Sequence, residues 1–75
     1  MSNTFVICVE NDGYEVSLEK RKLYERLADK KSESHGLVRV IDESGEDYLY
    51  PSRYFVQIKL PARVEQAVLG AAQPL

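Results

Sequence analysis

The 75-residue sequence predicts a mainly β single domain that ends in a short C-terminal α-helix. Three observations carry that expectation. Leu37-Val38-Arg39-Val40-Ile41 and Asp47-Tyr48-Leu49-Tyr50 are β-branched or aromatic arms on either side of Asp42-Glu43-Ser44-Gly45-Glu46, a hairpin turn with Gly45 available for positive φ. Thr4–Val9 and Phe55–Leu60 are strand-like in composition. Val64, Ala67, Val68 and Ala71 recur at helical spacing after Pro61, which suits a first helical position.

Taken in order, Thr4-Phe5-Val6-Ile7-Cys8-Val9 is apolar on both faces and reads as a strand buried on both sides. Glu10-Asn11-Asp12-Gly13 ends it with residues that tolerate turns. The segment from Tyr14 to Lys31 fits two readings. Ser17 as N-cap, with Leu23, Tyr24, Leu27 and Ala28 at helical offsets, suits a helix over residues 17–28 and an α+β fold. The alternation of Val16 with Leu18, and of Leu23 with Leu27, suits strands around a turn at Glu19–Lys22. Asp29–Gly36 has no apolar residue and reads as a polar loop.

Pro51 stops the second hairpin arm, and Ser52-Arg53-Tyr54 has room for one 3₁₀ turn before the last strand. The helix is expected over residues 61–71, with 72–75 frayed. The expected core is Phe5, Ile7, Val9, Leu18, Leu23, Leu27, Val38, Val40, Leu49, Phe55 or Val56, and Ile58, joined by Val64 and Val68. With Leu49 inward, Tyr48 and Tyr50 are expected to be half exposed beside the acidic turn.

Composition removes several function classes. The single cysteine, Cys8, excludes an intrachain disulfide, and with one histidine, His35, the chain lacks a zinc ligand set. No apolar run reaches membrane-span length, and Met1-Ser2-Asn3-Thr4 lacks the basic start of a signal peptide, so a soluble cytoplasmic protein is expected. The net charge of −2 lacks the basic field of a nucleic-acid binder, although Lys20, Arg21, Lys22 and Arg26 are possible phosphate contacts. His35 sits in a polar loop with no orienting acid, and the carboxylates of Asp42-Glu43 and Glu46-Asp47 sit on a solvated turn. No enzyme activity, cofactor or metal is expected.

The stretch Tyr-Leu-Tyr-Pro-Ser-Arg-Tyr-Phe-Val-Gln-Ile, Tyr48 to Ile58, resembles the closing segment of SH3 domains, in which a strand runs into Pro-Ser-x-Tyr, makes a 3₁₀ turn and continues as the last strand. Val16–Leu27 is similar to the diverging turn and the strand it feeds, and Gly36–Pro51 to the distal hairpin. The resemblance implies a five-stranded SH3-like small barrel, spanning residues 4–60, with Leu23–Leu27 as a strand. It implies a proline-peptide groove as well, but only Pro51 and Tyr54 match it: the chain has no tryptophan, and Tyr14 is the one aromatic residue of the first loop. The chain as a whole is similar to small uncharacterised bacterial proteins, which implies no activity. The expected function is a small protein-interaction module of unknown partner. Its surface would combine Tyr14, Tyr48, Tyr50, Pro51 and Tyr54 with Glu46 and Asp47. The alternatives are a homo-oligomeric structural or assembly protein, for instance a homodimer, and weak nucleic-acid contact through Lys20–Arg26.

Overall fold

The computed structural model describes residues 4–72, with side chains through Gly70. Five strands form one antiparallel sheet: β1 (Thr4–Cys8), β2 (Leu23–Leu27), β3 (Leu37–Ile41), β4 (Asp47–Pro51) and β5 (Phe55–Ile58). The order is β4-β3-β2-β1-β5, a meander whose last strand returns to pair with the first. A 3₁₀ turn, Ser52–Tyr54, joins β4 to β5; α1 (Lys30–Glu33) joins β2 to β3, and α2 (Ala62–Ala72) follows β5. The fold is thus mainly β with a C-terminal helix. Leu23–Leu27 is a strand, which removes the helix over 17–28. Residues 73–75 of the expected frayed tail lie outside the described residues.

The sheet has two apolar faces. On the inner face the register sets Val6 opposite Tyr24 and Val38 opposite Tyr50. These four, with Cys8, Val40, Leu18 and Tyr54, form the core. The opposite face carries Phe5, Leu23 and Ile41, which line a cleft of about 620 Å³ with Val68 and Leu69 of α2. β1 is therefore apolar on both sides, as its composition requires.

The core differs from the expected one by a phase shift in β4. Leu49 is 37 % exposed and Tyr50 only 3 %, because the Tyr50 hydroxyl reaches a buried carboxylate that no leucine can use. Val9, Val56 and Val64 are also exposed, and Ile7, Leu23, Leu27 and Ile58 are half-buried. On α2 the residues that line the cleft are Val68 and Leu69, one turn beyond Val64.

The expected polar loop contains a short helix. Asp29 caps α1 by accepting from the Ser32 N–H at 3.1 Å, and Glu33 reaches back to the Asp29 N–H at 3.3 Å. Charge pairs then hold it to the sheet: Arg26 to Glu33, and Arg39 Nε to Asp29 at 3.0 Å. A helix with no buried residue has no apolar signature to read.

β2 begins with a bulge. The Arg21 N–H donates to the Cys8 carbonyl at 2.7 Å, while the Cys8 N–H donates to the Lys22 carbonyl at 3.0 Å. Two residues thus oppose one, and Arg21 occupies the left-handed position (φ 69°) that glycine usually fills. Arg21→Gly relieves this conformation and, despite the added freedom of the unfolded chain, is expected not to lower stability. The β-branched Arg21→Val should lower it by about 1–2 kcal/mol. Denaturant midpoints of the two variants decide this, and equal midpoints would contradict the bulge assignment.

Candidate functional site

The first loop, between β1 and β2, lies against the β3–β4 hairpin and leaves a groove of about 350 Å³ lined by Tyr14, Ser17, Asp42, Ser44, Tyr48, Leu49 and Tyr50. Local bonds shape the loop. Tyr14 N–H donates to the Asn11 carbonyl at 2.8 Å, Asn11 Nδ2 donates to the Leu18 carbonyl at 3.0 Å, and the Leu18 side chain is buried. One backbone bond, Glu43 N–H to the Ser17 carbonyl at 3.1 Å, ties the loop directly to the hairpin turn. Gly45, at φ 84°, gives that turn the positive φ it needs.

Tyr50 forms the floor. Its ring meets Tyr14 edge-on at 5.0 Å between centroids, and its hydroxyl donates to the Asp42 carboxylate. Asp42 is 6 % exposed and accepts from the Ser44 N–H at 2.8 Å and the Ser44 hydroxyl at 2.5 Å. Burial pushes the Asp42 carboxyl up, but the Ser44 and Tyr50 hydroxyls and the Ser44 N–H outweigh it and hold it below the usual carboxylate range. Burial and the bond to Asp42 push the Tyr50 phenol up to about 12. Tyr48 stays 50 % exposed, and its hydroxyl donates to Glu46 at 3.1 Å. The expected pair of half-exposed rings is therefore divided between a buried floor and an open wall.

A second carboxylate, next in the chain, holds a second tyrosine. The Tyr24 hydroxyl donates to Glu43 at 2.5 Å and accepts from the Glu19 N–H at 2.7 Å. Lys22 Nζ lies 2.6 Å from the same carboxylate. Lys22, then Tyr24, hold the Glu43 carboxyl below its usual range. Burial, then Glu43, push the Tyr24 phenol well above its own.

The other expected site residues are dispersed. Tyr54 is buried, and its hydroxyl donates to the Asp12 carbonyl at 2.9 Å; Pro51 is half-buried opposite Leu37. Glu46 serves Tyr48, and Asp47 binds Arg39 at 2.9 Å on the other side of β4. Of the four basic residues, Lys22 and Arg26 face carboxylates, whereas Lys20 and Arg21 are exposed. Cys8 is buried, and His35 is exposed beyond α1. Among the described residues no group of acids, His and Cys is placed to hold a metal ion, and no helix is long and apolar enough to cross a membrane.

Ser17, Asp42 and Ser44 were absent from the expected site. The Asp-x-Ser spacing of Asp42 and Ser44 was the available signal, since an aspartate at a turn commonly accepts from the residue two places on. Comparison with protein-family models, curated proteins and solved structures gives no match.

The depressed carboxyls of Asp42 and Glu43 contribute to an acid limit, as does that of Asp29 at the start of α1, which the Ser32 N–H and hydroxyl and Arg39 hold low. A carboxyl whose folded pKa lies below its unfolded value stabilises the fold above about pH 4, and that contribution is lost as pH falls through the folded value. Denaturant midpoints should fall steeply below about pH 4 in the wild type and less steeply in Asp42→Asn. Tyr50 sets the alkaline limit, because its raised pKa gives stability that is present below about pH 10 and lost as pH rises toward about 12. A flat acid limb in the wild type would contradict this assignment.

Proposed function

We propose that the chain is a non-catalytic protein-interaction module that docks a partner segment in the groove between the first loop and the β3–β4 hairpin. The observation that carries this reading is the division of labour among the tyrosines. Tyr50 and Tyr54 are buried and hydrogen-bonded, and the exposed rings of Tyr14 and Tyr48 stand in the groove beside Asp42 and Glu46. Exposed aromatic rings on a rigid support favour association, because they bury much area while losing little side-chain freedom.

Further support comes from the chemistry the chain leaves unused. Cys8 is a buried thiol whose Sγ donates to the Glu10 carbonyl at 3.1 Å, and burial raises its pKa, which is the behaviour of an inert core cysteine. The charged groups near the groove serve structural bonds. The SH3 resemblance is supported by the hairpin, the 3₁₀ turn at Ser52–Tyr54 and the final strand, which fall where that resemblance implies them. A cytoplasmic location suits this reading.

The test is retention of cell proteins by the immobilised chain, compared with a Tyr14→Ala/Tyr48→Ala variant. Tyr48 is half exposed, whereas the Tyr14 ring packs edge-on against Tyr50 and Tyr54, so the variant should unfold a few degrees below the wild type and is compared at a temperature where both are folded. A specific partner should be retained about tenfold less by the variant. Equal retention by a folded variant would overturn the reading.

A further inference from the structure

We propose that this groove recognises a cation, the methylated ammonium group of a lysine side chain on the partner. The inference rests on the docking reading and adds to it the chemistry of the docked group. Three features converge on it.

The first is the aromatic surface. Tyr14 and Tyr48 are exposed and line the groove, and the buried Tyr50, edge-on to Tyr14 at 5.0 Å, closes its floor, so an incoming group meets the two exposed rings. Ring faces attract cations, and methylated ammonium groups most of all, because their methyl groups weaken hydration and lie against the ring. Two other tyrosines of this chain already carry cations: Arg53 stands 5.1 Å from the Tyr54 ring centroid and Lys22 stands 5.8 Å from that of Tyr24.

The second is charge. Asp42 lines the groove, Glu46 is bonded to the Tyr48 hydroxyl, and no lysine, arginine or histidine is among the lining residues. Arg39, on a neighbouring strand, is bound to Asp29 and Asp47. The hydroxyls of Tyr48 and Tyr50 both donate to carboxylates, which makes their rings richer in electrons and better cation acceptors. An anion would be repelled here, and a neutral group would desolvate the carboxylate rim without return.

The third is size. About 350 Å³ is at the low end for small-ligand sites, enough for a side-chain head and its stem.

The test uses tetramethylammonium chloride, with sodium chloride holding ionic strength constant, and neopentyl alcohol as the neutral probe of matching shape. Binding to the isotopically labelled full chain is read from amide shifts. Saturable shifts confined to Tyr14, Ser17, Ser44 and Tyr48 are expected with the cation. Affinity should be about tenfold weaker for the alcohol and for the Tyr48→Ala chain, with Tyr48→Phe, which keeps the ring and loses the Glu46 bond, in between. Equal shifts from the alcohol, or no saturable shift with the cation, would overturn the inference. If the alanine pair loses the partner but tetramethylammonium does not bind, the docking reading stands and the cation falls. If the partner is retained by that pair, the docking reading itself falls.

Discussion

A buried tyrosine hydroxyl must find an acceptor, and that requirement organises this chain. Tyr24, Tyr50 and Tyr54 are core residues, and their hydroxyls donate to Glu43, Asp42 and the Asp12 carbonyl respectively. Leaving one such group unpaired costs about 1–3 kcal/mol, a large share of the stability of a small domain. Among the described residues no buried side-chain nitrogen or oxygen lacks a partner. Two acceptors lie on the β3–β4 turn and one on the first loop, so satisfying the hydroxyls also brings turn and loop together.

The groove follows from that arrangement. With Asp42 and Glu43 adjacent in the chain, one turn binds the floor of the groove through Tyr50 and the base of the first loop through Tyr24, Lys22 and the Ser17 carbonyl. Asp42, which bonds the core hydroxyl of Tyr50, also leaves negative charge beside the exposed rings. Structural need and the chemistry of the groove thus share residues, which is economical in a chain with one small core. The bulge at Arg21 serves the same end, since it turns the chain out of the loop and into β2 opposite Cys8.

Much of the fold was legible in the sequence because its signals are local. The hairpin around Gly45, the 3₁₀ turn after Pro51 and the double-sided β1 are written in neighbouring residues. The strand at Leu23–Leu27 was legible only through the SH3 resemblance, because helical and strand spacing coexist there. The phase of β4 is the reverse of what its local sequence implies. Tyr-Leu-Tyr can turn either face inward, and hydrophobicity favours leucine, but the choice depends on an acceptor eight residues from Tyr50. α1 leaves no local apolar signal, because polar caps and ion pairs make it. Tyr14 and Tyr48, both among the expected surface residues, line the groove, whereas pairings such as Lys22 with Glu43, 21 residues apart, are set only by the register of the folded sheet.

The claim that tyrosine–carboxylate pairs hold the fold is tested most directly by a double-mutant cycle on Tyr50 and Asp42. Stabilities of the wild type, Tyr50→Phe, Asp42→Ala and the double variant give the energy of the pair itself. A coupling of about 1 kcal/mol or more is predicted for a buried bond to an ionised acceptor. Additive losses, with a coupling below about 0.3 kcal/mol, would contradict the account.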